Sequence, residues 1–138
     1  MADFRSDDMS GRVAAGTTVP TTADLRVYLF AGTIDPTPAQ PTSVMMSEIV
    51  TAGGTLLATS TQLQNVVDTL GLISADSIDI ANVTGTIVAV AIGVYTGTLG
   101  TTRVFRYFDA AIAGLPQTVN AQTVTLNLAN GLATFQQA

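Results

Sequence analysis

The run TIVAVAIGVYTG, residues 86–97, is the most apolar stretch of the chain. It is about half the ~20 residues that a membrane-spanning helix needs. Its valines and isoleucines are branched at Cβ and fit a pleated sheet better than a helix. The run therefore reads as a buried strand. Alternation gives it two unlike faces. Val88, Val90, Ile92 and Val94 make a bulky one, and Ile87, Ala89, Ala91, Gly93 and Tyr95 a mostly small one. Small residues let a second surface approach closely. That surface is either another layer of the same chain or a neighbouring subunit.

Other strand signals surround this run. Upstream, Leu25, Val27 and Leu29 alternate with Arg26, Tyr28 and Phe30, and Gly32 ends the pattern. SADSIDIANV (residues 74–83) reads as a short strand with Ile78 and Ile80 on one face. Downstream, TGTLGTT (96–102) is a hairpin loop and RVFRYFDA (103–110) the strand after it. Val124, Leu126 and Leu128 alternate with Thr123, Thr125 and Asn127, and Asn130-Gly131 is a tight-turn dipeptide from which LATFQ can pair back. Pro36, Pro38 and Pro41 stiffen an extended loop. SVMMSEIV (43–50) fits a short helical turn closed by Gly53-Gly54. Residues 55–71 are ambiguous. Leu63, Val66, Val67 and Leu70 have helical spacing, whereas Leu57, Thr59, Thr61 and Leu63 alternate as a strand does. Mediocre helix formers favour a strand from Thr55. The expected fold is all-β: an antiparallel sandwich or barrel of about seven or eight short strands. Residues 23–138 would form this single β domain, with an extended N-terminal arm over residues 1–22.

A chain of 138 residues suits one domain with a real core, and 47% apolar against 11% charged residues argues against disorder. A surface of Thr, Ser, Gln, Asn and Ala meets other protein surfaces at little desolvation cost. Net charge is −5 and every cation is an arginine. Scattered Arg against twice as many acids does not suit binding to phosphate backbones, so no nucleic acid is expected. No membrane partner is expected either. The N-terminus shows Asp3, Arg5, Asp7 and Asp8 and no apolar h-region, so no signal peptide is expected.

Reactive constellations are mostly eliminated by composition. Without His or Cys there is no Ser-His-Asp triad, Cys-His pair or zinc–thiolate site, and without Lys no Schiff base. Asp76, Asp79 and Asn82 form a carboxylate-rich piece without EF-hand spacing, and carboxylates in turns are its plainer use. Asn82-Val83-Thr84 matches the glycosylation triplet, a match short enough to arise by chance. No enzyme activity, cofactor or metal is expected.

Two features suit interfaces. Phe105 and Tyr107, beside Arg103 and Arg106, could present an interface strand or, with Phe108, a stacking platform; core packing is the commoner use of such aromatics. The arm is the second feature. Phe4, Met9, Val13 and Val19 are isolated at no regular period, with Arg5 and Arg12 between them. Ordering backbone costs ~1–2 kcal/mol per residue, while each large apolar side chain returns only ~1.5–3 kcal/mol on burial. The arm therefore needs backbone hydrogen bonds as well, such as those of a strand added to another sheet. Those six arm residues are the candidate partner contacts.

The order of pieces is similar to that of small virion structural proteins of tailed bacteriophages, of the head decoration or cement type. The resemblance is carried by DLRVYLF, then IDPTPAQPTS, MMSEIVTAGG, ADSIDIANV, TIVAVAIGVYTG, RVFRYFDAA and VTLNLANGLATF, over roughly residues 24–136. It implies a non-enzymatic protein on the outer capsid surface, made in the host bacterial cytoplasm. Its implied partners are the major capsid protein, whose neighbouring copies it bridges, and copies of itself, as a homotrimer. A neck or tail component is the nearest variant. A glycan-binding β domain, with Tyr95, Tyr107 and Phe108 as contacts, is the other alternative.

Overall fold

Leu25, Val27 and Leu29 share one hydrophobic cluster, while Tyr28 and Phe30 belong to another. This split follows from strand alternation, and it organises the molecule. The computed structural model describes residues 3–4, 22–34, 45–69, 72–108, 115–129 and 132–137. Within these, the first half of the chain forms β1 (Asp3–Phe4), β2 (Leu25–Gly32), α1 (Ser47–Thr51), β3 (Gly54–Thr59) and β4 (Val67–Thr69). The second half forms β5 (Leu72–Ile87), β6 (Ala89–Val94), β7 (Arg103–Phe108), β8 (Gln117–Ala129) and β9 (Leu132–Gln137). A five-stranded sheet has the order β1-β7-β6-β2-β3 and a four-stranded sheet the order β4-β5-β8-β9. Every pairing is antiparallel. The protein is all-β, and the main core lies between the two sheets. The described strands number nine, more than expected, because β1 and β4 are only two and three residues long. Among the described residues no helix is long and apolar enough to cross a membrane.

The inter-sheet core takes Leu25, Val27 and Leu29 from β2, Val90 and Ile92 from β6, and Phe105 from β7. Facing them are Ile78, Ile80, Val83 and Ile87 of β5 and Val119, Val124, Leu126 and Leu128 of β8. A second cluster lies on the outer face of the five-stranded sheet. There Met46 and Ile49, at the start of and within α1, pack on Tyr28, Phe30, Ala89, Ala91, Val104 and Tyr107.

Residues 86–97 are not one strand. β5 ends at Ile87 in one sheet and β6 begins at Ala89 in the other. Between them the N–H of Val88 donates to the carbonyl of Phe30 at 2.9 Å. The crossing resets the alternation. Ile87 joins Val90 and Ile92 in the inter-sheet core, while Val88 packs against the outer cluster. The expected membership of the two faces is therefore corrected at these two residues.

The small face is covered by the chain itself. A Cβ on Gly93 would lie 2.5 Å from Met46 Cε and 2.9 Å from Thr102 Cγ2. The Met46 segment is tied down by bonds from its N–H to the Thr102 carbonyl (2.7 Å) and from the Ser47 N–H to the Leu99 carbonyl (3.2 Å). Glu48 Oε2 accepts from the Met45 N–H at 2.9 Å, which holds the entry to the helix. Gly53 leaves the helix at φ 115° with the Thr33 carbonyl where a Cβ would stand, so glycine is required there.

Residues 55–69 contain no helix. β3 is followed by irregular backbone in which the Ser60 N–H donates to the Val27 carbonyl and the Leu63 N–H to the Leu25 carbonyl, both at 2.8 Å. Leu63 is buried and Val67 is 53% exposed, so the helical spacing did not mark one buried face.

Candidate functional site

The outer face of β2 carries Arg26 beyond the edge of the second core cluster. Strand alternation places it on the side of Tyr28. The loop after β6 starts with Tyr95, whose N–H donates to the Asp24 carbonyl at 2.8 Å. Arg26 then makes a forked pair with the Asp24 carboxylate, Nε to Oδ1 at 3.0 Å and Nη2 to Oδ2 at 3.2 Å. Its guanidinium also lies 3.6 Å from the centroid of the Tyr95 ring. The three side chains hold one another in place at the rim of a cleft of about 380 Å³.

The cleft is lined by Arg26, Tyr28 and Tyr95, by Leu56, Thr59 and Ser60 near the end of β3, and by Gly97, Thr98, Leu99 and Thr102 from the loop. A web of threonines shapes that loop. Thr96 Oγ1 lies 2.7 Å from Thr101 Oγ1 and 3.1 Å from Thr102 Oγ1, and the Thr102 hydroxyl donates to the Thr98 carbonyl at 2.9 Å. Ser60 Oγ is committed to backbone: it accepts from the Val27 N–H (2.8 Å) and donates to the Thr61 carbonyl (2.7 Å). Burial pushes the Tyr28 phenol above its ordinary value, and its hydrogen bond with Thr102 acts in the opposite direction. Arg26 is held more firmly protonated, first by its bond to Asp24. The cleft thus combines hydroxyls, two tyrosine rings, two leucines and a cation already matched by a carboxylate.

Apart from Tyr95, the residues singled out from the sequence lie elsewhere. Of the arm contacts, Phe4 sits in β1, which pairs with β7 so that Asp3 is opposite Phe108 and Phe4 opposite Tyr107. For these two residues, the strand addition reserved for a partner's sheet is made within the chain. Arg5, Met9, Arg12, Val13 and Val19 lie outside the described residues, as do the Pro-rich loop 35–44 and Asn130-Gly131. Strands β8 and β9 nonetheless pair with Ala129 opposite Leu132, which frames that dipeptide.

The aromatic strand is corrected. Phe105 and Tyr107 are buried and offer a partner no side-chain surface, whereas Arg103 and Arg106 are half-buried. A register shift between β6 and β7 explains why. Ile92 stands opposite Arg106 and Gly93 opposite Val104, so Phe105 is an extra residue that turns into the inter-sheet core. Tyr107 packs in the outer cluster instead. The two rings therefore cannot form one stacking platform, and Tyr107 is withdrawn from the glycan contacts. Tyr95 remains, 36% exposed.

The acidic piece is also dispersed. Asp79 Oδ1 accepts from the Thr125 hydroxyl and Asp76 Oδ2 from the Asn65 amide, each at 2.6 Å. Among the described residues no three acidic groups gather where a metal ion could sit.

Sequence reading missed the Asp24–Arg26–Tyr95 arrangement. Its signal was the D-x-R spacing, which puts both charges on one side of a strand, together with a Thr-rich loop. No family model, curated protein or solved structure matches the chain.

Proposed function

We propose that this chain is a structural protein of a bacteriophage particle, a cement protein that binds the outer surface of the head and bridges neighbouring coat subunits. The reading is supported by the order of sequence pieces that resembles cement proteins, and β1, although paired within the chain, exemplifies the strand addition a partner would receive. Two residues at the far N-terminus add as a strand to the edge of a sheet whose next sequence neighbour begins only at Leu25. A segment able to pair in this way, at the end of a long connection, is suited to adding to a sheet on another molecule. Several such contacts by one chain reinforce one another through effective concentration. Low surface charge and net acidity fit a protein that meets protein on one side and has no use for DNA. Copies of the chain would sit side by side on the coat, as the resemblance to cement proteins implies.

The test is direct. Density-banded virions should contain the protein in proportion to the coat subunit, and purified protein should bind heads that lack it. Its absence from banded particles overturns the reading. A copy number matching the portal or tail would move it to the neck or tail.

A further inference from the structure

We propose that the cleft beside Tyr95 binds a neutral sugar, one hexopyranose ring of a glycan. This site does not depend on the particle role. Its volume of about 380 Å³ falls within the ~300–1,000 Å³ of small-ligand pockets. Charge selects the class. The one charged side chain in the lining, Arg26, is already forked onto Asp24, so an anion would meet the carboxylate behind the cation. No carboxylate lines the cleft to attract a metal ion.

Hydroxyls define what remains. Thr59 and Thr98 are exposed at the wall, and the Tyr28 phenol lies deeper. A hydroxyl both donates and accepts, and the N–H groups of Arg26 beyond the two bonds to Asp24 add donors. That mixed set matches the adjacent hydroxyls of a pyranose, each of which also does both. The apolar C–H face of such a ring needs a flat apolar wall, for which the lining offers Leu99 and the face of the Tyr95 ring that Arg26 does not cover. Arg26 stacked on that ring fixes its orientation before any ligand arrives, which lowers the ordering cost of binding.

Amide NMR titrations with methyl glucoside, mannoside and galactoside test the site, with acetate and phosphate as anionic probes. At least one hexoside should shift the Tyr95, Gly97 and Thr98 amides saturably, with Kd of ~1–10 mM, ordinary for a single small ring. Tyr95→Ala should weaken this at least ~10-fold, about 1.4 kcal/mol. Thr98→Val removes an exposed hydroxyl, leaves the Thr98 carbonyl in place for Thr102, and should weaken binding ~3-fold while the thermal midpoint stays put. It decides the matter if Tyr95→Ala disturbs the loop. The proposal is overturned if no hexoside shifts these amides, if binding survives in both variants, or if the anions bind there and the sugars do not.

Discussion

Gly93 shows how one residue type can be fixed by what lies over it. Met46 and Thr102 occupy the space a side chain would need, and the Arg103 carbonyl is 3.2 Å from the same point. Gly93→Ala should cost ~1–3 kcal/mol through overpacking, read as a lower midpoint in denaturant. Smallness at 89, 91 and 93 was visible in the sequence, but small residues say only that something approaches. The identity of the covering group, a methionine some fifty residues upstream, carried no local signal. Tyr28 gives a second residue-scale prediction. The fold raises its pKa, so the folded state keeps a proton that the unfolded chain loses from pH ~10 upward. Its contribution is complete below that pH and is lost as pH rises through the folded-state value. Once each protein is referenced to its own stability at neutral pH, Tyr28→Phe should lose less stability than wild type in thermal melts above pH ~10. An equal loss in both would show that this phenol does not govern the alkaline limb.

At the scale of elements, period-two alternation recovered β2 and β8 because each keeps long stretches in one environment. It failed where the backbone changes sheets. The crossing at Val88 has no glycine or proline to mark it, and the apolar run continues through it unbroken. A bulge in β7 defeated the same rule by giving Phe105 and Tyr107 opposite sides. The short helix was legible, since Gly53-Gly54 stops it, and the strand preferred from Thr55 is present as β3. The crossing can be tested by contrast. Ile87 is fully buried in the inter-sheet core, so Ile87→Ala should cost ~2–5 kcal/mol. Val88 is half-buried against the outer cluster, and Val88→Ala should cost less than half as much. A single uninterrupted strand with Val88 on the bulky buried face would reverse that order. Ser60 ties the irregular chain after β3 to β2. Ser60→Ala leaves the buried Val27 N–H without its acceptor and should cost ~1–3 kcal/mol in equilibrium unfolding.

For the whole molecule the decisive quantity is how firmly β1 is held by its own sheet. Two residues of pairing bring a few hydrogen bonds at ~0.5–1.5 kcal/mol net each. Against that stands the ordering of their backbone at ~1–2 kcal/mol per residue. Closing the connection over residues 5–24 adds about 3 kcal/mol from the length-dependent part alone. On these backbone terms alone the costs exceed the gain, so in the isolated chain the pairing is weakly held and easily exchanged for an equivalent one on another molecule. Among the described residues, the buried members of the inter-sheet cluster on which the sandwich rests begin at Leu25, with Ala23 packed against them. Removing residues 1–22 should therefore shift unfolding by no more than ~1 kcal/mol, measured in urea. The same truncation should lower occupancy on heads at least ~10-fold, since each lost contact at 1.4 kcal/mol is a decade in affinity. If the truncated chain bound heads as well as the full one, the arm would have no part in attachment and the proposal drawn from β1 would fall. If instead it unfolded several kcal/mol more easily, the N-terminal segment would belong to the domain's own stability, and its pairing with β7 would be the reason it is there.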